Sequence, residues 1–427
     1  MSKPKIRFKG CQGEWSSSTF VDTFQFLKNN SLSRACLGSN GDVKNVHYGD
    51  VLIRFGENLD VGKEALPYIS NGSYGRALAK RCSLQDGDVI IADAAEDNTV
   101  GKATELMSVG DNTVVSGLHT IPCRPTLTFG PCYLGYYLNS KAYHNQLLPL
   151  IQGTKICSIS KHALENTTVS YPPTLPEQRQ IASYFRSLDG ILSGCEARLS
   201  SLRRLKEGAL QAFFPQQGET QPRIRFKGCK GEWERKKLGE IGAFYGGITG
   251  KSKADFANGN AKFITYMNVY KNPALRLDLD NKVRIEKNEK QRTLRYGDIL
   301  FTGSSETPDE CGMSSVITEQ PTEDLYLNSF CFFLRLNHPA ILEPDFAKQL
   351  FRSNELRRQI VRTASGITRY NVSKKLMKDV NIPIPPLPEQ HLIANFFRTI
   401  DLRIELERQR LEKLKQLKAA CLEKMFV

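Results

Sequence analysis

Hydrophobic and polar positions divide the chain into two long tracts of helical period and two mixed regions of strand-like character. From Pro176, a helix N1 position, no proline interrupts the chain as far as Phe214, and the same holds from Pro388 to Phe426. A heptad register runs through both tracts. In the first, Phe185, Leu188, Leu192, Cys195, Leu199, Leu202, Ala209 and Phe213 fall at a and d; in the second, Phe397, Ile400, Ile404, Leu411, Leu414, Cys421 and Met425 do. Lys206 interrupts the first seam, Glu407 and Lys418 the second, and Lys206 and Lys418 hold equivalent positions. Sparse polar interruptions of an apolar seam fix the register of a two-stranded coiled coil. Each tract would reach ~58 Å at 1.5 Å per residue, more than one mixed region can cover, so the two helices are expected to pack on each other. An antiparallel pair would act as a ruler, ~58 Å being over one and a half turns of duplex DNA.

In the mixed regions, alternation and β-branched residues predict strands near Val51–Phe55, Val89–Ala92 and Val114–Val115, then Lys262–Tyr266, Ile299–Thr302 and Phe330–Leu336. The two halves share landmarks. PKIRFKGCQGEW at 4–15 returns as PRIRFKGCKGEW at 222–233, and PTLPEQRQIASYFRSLD at 173–189 returns as PPLPEQHLIANFFRTID at 385–401. Between these, QDGDVIIAD (85–93) answers RYGDILFTG (295–303), GTKICSIS (153–160) answers GITRYNVS (366–373), and ISNGSY (69–74) is paired with YMNVYK (266–271). Divergence between shared landmarks fits one fold carrying two different recognition surfaces.

A formal charge of +14 and a pI near 9.2 suggest an anionic partner. Residues 1–214 hold 23 Lys+Arg against 19 Asp+Glu, and residues 215–427 hold 36 against 26, so the second half should show the steeper salt dependence. The 11 cysteines are scattered without C-x-x-C or zinc spacing, which reads as reduced thiols, Cys11 and Cys229 packing as free thiols. No stretch approaches the ~20 apolar residues of a membrane span and the first residues lack an apolar signal core, so a cytoplasmic protein is expected.

Catalytic patterns fail on inspection. GGITGKS at 246–252 ends like a phosphate loop, but Tyr245 stands where its first glycine belongs and the following tract breaks at Asn258 and Gly259. It reads better as an exposed basic recognition loop. No Asn/Asp-Pro-Pro-aromatic tetrapeptide, G-x-G-x-x-G loop or nuclease P-D…E-x-K pair occurs; Pro344-Asp345 is followed only by Glu355-Leu-Arg. His119 and His338 read as ordinary loop residues. A noncatalytic binding chain is expected, with a coiled-coil scaffold joining two proteins as the alternative.

The duplicated L-P-E-Q-x-x-I-A motif (175–182 and 387–394), leading into a long helix and preceded by Gly153…Ser160 or Gly366…Ser373, resembles the specificity subunits of type I restriction-modification systems. The resemblance covers the whole chain. It implies an α+β fold with two pseudo-repeated α/β target recognition domains, residues 1–172 and 216–384, separated by two long helices, 173–215 and 385–427, forming an antiparallel coiled coil. It implies double-stranded DNA, two modification (methyltransferase) subunits and restriction (translocase/nuclease) subunits as partners. This chain would bind no cofactor itself, S-adenosylmethionine, ATP and Mg2+ residing on those partners, and would recognise a bipartite, asymmetric site. Trp233–Glu240 (WERKKLGE) shows the W-x-x-x-K-L-G-E opening; the first half lacks it.

Base edges and phosphates are met mainly by Arg, Lys, Asn, Gln, Ser and Thr. Such residues, with tyrosines beside them, select Lys44, Asn71, Ser73, Tyr74, Arg76, Lys80, Arg81 and Lys155 in the first half. In the second they select Lys251, Lys253, Asn268, Tyr270, Lys271, Arg292, Arg369 and Tyr370.

Overall fold

The computed structural model describes residues 3–256 and 259–427, so the break read at Asn258 lies outside the described residues. The chain forms two units, Met1–Glu196 with Gln409–Val427, and Ala197–Arg408. Both long helices, Leu175–Phe213 and Leu387–Met425, contribute to both units.

Within the first unit, a five-stranded sheet runs in the order Phe24–Phe26, Thr120–Pro125, Val89–Ala92, Ala103–Met107, Asn58–Asp60, antiparallel except for its last, parallel pair. A second sheet sets Thr113–Ser116 parallel to Val43–Val46. The second unit repeats this plan: Gly242–Gly246, Cys331–Leu336, Ile299–Thr302 and Ser314–Val316 form the antiparallel sheet, and Leu325–Leu327 lies parallel to Ala261–Ile264.

Two expectations are corrected. Val51–Phe55 is no strand: its first three residues end the helix Tyr48–Ile53, which His47 caps by accepting from the Gly49 amide and which buries Asp50 and Val51. This helix follows Val43–Val46 as Tyr266–Lys271 follows Ala261–Ile264. The counterpart of YMNVYK is therefore YGDVLI at 48–53, and ISNGSY instead opens a separate helix, Gly72–Cys82. In the second unit the chain after Tyr266–Lys271 runs irregularly, with the short strand Lys282–Val283, as far as Ile299.

The repeated landmarks are repeated contacts. The Arg7 guanidinium clasps Glu177 through two hydrogen bonds of 2.7 and 2.8 Å, and Arg225 clasps Glu389 at 2.9 and 2.6 Å. Thus each FKGC segment is tied to the L-P-E-Q glutamate of its own unit. The next residue bridges two loops: Gln178 accepts from the Gly130 amide and donates to Pro172, while Gln390 accepts from the Glu343 amide and donates to Ile341 and Pro385. The Ile6 amide donates to Lys424 at the end of the second long helix, and the Ile224 amide to Ala212 near the end of the first. In the two G-D turns, Asp88 and Asp298 are buried beneath Arg124 and Arg335, each pair joined by two hydrogen bonds.

The long helices pair antiparallel in each unit. In the first, Phe426 from the end of the second helix stacks on Phe185 (5.7 Å) beside Trp15 and Tyr133. In the second, Phe213 and Phe214 from the end of the first helix meet Phe396, Phe397, Trp233 and Phe346. Leu188, Leu199, Ile400 and Leu411 are buried, and Leu192, Leu202, Ile404 and Leu414 partly so, as the a/d register requires. Its charged interruptions are paired: Lys206 with Asp401 at 2.6 Å, Lys418 with Asp189 at 2.7 Å and Glu57 at 2.6 Å, and Glu407 with Arg198 at 3.2 Å. Burial disfavours the Lys418 charge, but the two carboxylates outweigh it and hold its pKa above the ordinary lysine value.

Candidate nucleic-acid interface

In the first unit, most of the selected side chains fall on the helix Gly72–Cys82. Its inner side packs Gly75, Leu78, Ala79 and Cys82 toward Val43, Ile69 and Val115. The opposite side leaves Ser73, Tyr74, Arg76, Lys80 and Arg81 exposed, a basic amphipathic arrangement following from helical period. Asn71 caps the helix, accepting from the Tyr74 amide at 3.1 Å and the Ser73 hydroxyl at 2.8 Å. Arg76 pairs with Asp42. Lys44 lies elsewhere, its ammonium donating to the Val61 carbonyl at 3.1 Å.

Lys155 is exposed in the turn that Gly153 opens. There φ is +95°, and a Cβ would stand 2.1 Å from the Ile156 carbonyl oxygen, so the turn needs glycine. Gly366 repeats this: φ is +150°, and a Cβ would meet the Arg369 oxygen at 2.0 Å. The two turns present different side chains. Lys155 and Ile156 are exposed in the first, Thr368 and Arg369 in the second.

In the second unit a groove of about 770 Å³ lies between the loop Gly246–Lys253, Ser304, the segment Asn328–Phe332 and Lys374. A smaller concavity of about 340 Å³ adjoins it across Ser304 and Phe330, lined by Tyr266, Tyr270, Glu310 and Arg369. Arg369 donates to the Ser304 hydroxyl at 3.0 Å and its guanidinium lies 5.6 Å from the centre of the Phe330 ring. Tyr370 begins the strand Tyr370–Val372 that pairs with Ser304–Ser305 and sets this turn against the groove. Lys253 is exposed on the groove wall and Lys271 is exposed at the end of the helix Tyr266–Lys271. Arg292 is exposed, over the face of Tyr245 at 4.2 Å.

Lys251, Asn268 and Tyr270 of the selection are also held by partners within the unit. Lys251 is nearly buried in an ion pair with Glu289, and Asn268 is buried, its amide holding Arg276 and Asn272. Tyr270 donates to Glu310 at 2.6 Å; that bond and burial raise the phenol pKa, and the same bond lowers that of Glu310. Half-buried Arg352 props the helix from behind by donating to the Val269, Tyr270 and Ser314 carbonyls; burial lowers its pKa to about 10. Phe330 and Lys374, absent from the selection, line the same groove. The residue pattern predicts Phe330 as the first residue of a strand, whereas the strand starts at Cys331 and leaves Phe330 on an exposed loop.

Among the described residues no group of three or more His, Cys, Asp or Glu is placed to hold a metal ion, and no helix is long and apolar enough to cross a membrane. The repeated scaffold with two unlike surfaces matches a known family model, described as the type I restriction modification DNA specificity domain, over residues 37–201 and again over 230–416. The chain belongs to the type I restriction-modification specificity family. Relatives include the Type I restriction enzyme MjaVIII specificity subunit of Methanocaldococcus jannaschii, 22% identical over 322 residues and 67% of each chain. A putative MjaX specificity subunit of the same organism is 23% identical over 351 residues, 78% of this chain and 76% of that one. In fold, the chain is similar to the S subunit of a type I system from M. genitalium (TM-score 0.54, 13% identity, 100% of this chain and 99% of that one). It is also similar to a chain from a structural study of type I R-M complex assembly and conformational transition (TM-score 0.58, 18% identity, 97% and 98%). Within this family, then, the protein is a specificity subunit with two target recognition domains and two long pairing helices.

Proposed function

We propose that this specificity subunit reads a bipartite, asymmetric DNA site and is itself noncatalytic. Partner modification subunits would methylate adenine at that site, with S-adenosylmethionine bound by them, and partner restriction subunits would supply ATP-dependent cleavage. The observation that carries this reading is one scaffold bearing two different surfaces: a basic helix, Gly72–Cys82, in the first unit, and a groove flanked by Arg369, Lys253 and Lys374 in the second. Identical modules would read a symmetric site, whereas these two present different donors, as an asymmetric site requires. Exposed Tyr74, Lys80, Arg81 and Lys155 in the first unit, and Lys253, Lys271, Arg292 and Arg369 in the second, are the side chains assigned to DNA. Lys44, Lys251 and Asn268 are assigned to holding loops in shape. The test is Arg369→Ala in the complex with the modification subunits. Binding to duplexes carrying the second half-site should weaken about 10-fold, as loss of one base-edge contact does, with discrimination at the first half-site retained. Unchanged affinity and methylation would remove Arg369 from the interface.

A further inference from the structure

The two units share one further feature that the sequence landmarks conceal. In each, a three-residue loop joins the parallel strand to the long antiparallel strand: residues 117–119 before Thr120–Pro125, and 328–330 before Cys331–Leu336. The sheet registers Ala92↔Thr120 and Thr302↔Cys331 make the last loop residues, His119 and Phe330, equivalent. Backbone bonding agrees. The Asp93 amide donates to the His119 carbonyl and the Gly303 amide to the Phe330 carbonyl; one step further, the Ile159 and Val372 amides donate to the Asp93 and Gly303 carbonyls.

Equivalent backbones carry different chemistry. Phe330 is 58% exposed, and with Ser304 it forms the ridge between the two concavities, Arg369 lying over the face of its ring. His119 projects with its side chain 51% exposed, held in the left-handed region at φ +53°. Its Nδ1 lies 3.2 Å from the Asp93 carboxylate, and its ring meets Tyr48 edge-on at 5.3 Å. A histidine in the left-handed region carries a backbone cost of roughly 1–3 kcal/mol, and an exposed phenylalanine ring gains nothing from burial in its own domain. Despite these contacts, each tip keeps about half of its surface open to solvent.

Resting on the reading of this chain as a DNA specificity subunit, we propose that His119 and Phe330 are paired specificity-determining tips, one for each half-site. Phe330 with Arg369 offers an apolar face and a guanidinium plane to a base or a thymine methyl in the second half-site. His119, held by Asp93, offers a ring nitrogen to a base edge in the first. Because the tips occupy the same place on the scaffold, the half-sites differ in the base met there, while the flanking phosphate contacts need not differ.

The complex with modification subunits is used to select bound duplexes from a library randomised through both half-sites, for wild type, Phe330→Ala and His119→Asn. Asparagine is chosen because it tolerates the left-handed backbone. Phe330→Ala should relax base preference at one position of the second half-site by about 10-fold, the scale of a lost direct base contact, leaving the first half-site as in wild type; His119→Asn should do the reverse. If wild type selects a two-part site and both variants select the same site with the same preference, the tips have no role and the proposal fails alone. If wild type selects no site, the specificity reading fails and takes the proposal with it.

Discussion

Glu177→Gln tests why the FKGC-GEW and L-P-E-Q segments are duplicated together. The Glu177 carboxylate is buried and takes two hydrogen bonds from Arg7, whose own side chain is only 15% exposed. The amide keeps the shape but removes the charge, leaving a mostly desolvated guanidinium facing a group with one acceptor. Breaking a buried pair in this way costs about 3–5 kcal/mol. Arg7 retains the Gly13 and Gln12 carbonyls as acceptors, so the low end, about 3 kcal/mol, applies here. That free energy is expressed where the clasp holds the segment down, at the Ile6 and Cys11 amides, which donate to Lys424 and Phe8. Hydrogen exchange followed by mass spectrometry should therefore show residues 4–15 exchanging roughly 100-fold faster, since about 1.4 kcal/mol corresponds to a factor of ten. Residues 222–233, held by Arg225 and Glu389, should be unchanged, and Glu389→Gln should give the converse. Wild-type protection at 4–15 in Glu177→Gln would show that the clasp does not anchor the segment.

The polar interruptions of the helix seam should differ in cost. Lys418→Ala removes the cation shared by Glu57 and Asp189, leaving Asp189 only the Tyr136 hydroxyl at 2.6 Å, and should lower stability in urea by about 3 kcal/mol; Lys206→Ala leaves Asp401 with Lys348 at 3.7 Å and should cost about 1 kcal/mol. Glu105, buried against the Cys132 and Gly135 amides, has its carboxyl pushed up to about 7 by burial. Because the folded form holds its proton to higher pH than the unfolded chain, stability should fall as pH rises from about 4.5 to about 7, by up to about 3 kcal/mol, and Glu105→Gln should flatten that slope in pH-dependent denaturation. Replacing Lys80 and Arg81 together by alanine should weaken binding by the assembled complex and reduce the slope of log affinity against log salt by about 2, measured by titration at several ionic strengths; an unaltered slope would take the helix Gly72–Cys82 off the DNA.

The long helices were legible because thirty-nine-residue tracts repeat their apolar period many times, and each a/d position named above is withdrawn from solvent. Short elements carry fewer repeats. Val51–Phe55 looks like a strand by its β-branched and aromatic residues, but the His47 cap and the buried Asp50 turn it into a helix. Contacts between landmarks were illegible for a different reason: Arg7 and Glu177 lie 170 residues apart, and no local period reports a partner at that distance. The same holds for the interface. Polar residue type found Lys80, Arg81 and Arg369, which are exposed, and equally Lys251 and Asn268, which their partners Glu289 and Arg276 draw inward. Residue type passed over Phe330 and His119 because an aromatic in a strand-like run reads as core and an isolated histidine as a loop residue. Their equivalence becomes visible only through sheet register.

Under the proposed function, this chain alone dictates where the assembled methyltransferase acts, through two unlike domains. Co-expressing it with its modification subunits and sequencing the host DNA for methylated adenine tests this most directly. Specificity set by this chain should give a two-part, asymmetric motif with a fixed gap, lost when the chain is omitted. Methylation independent of the chain, or a soluble complex that leaves no chain-dependent motif, would contradict it.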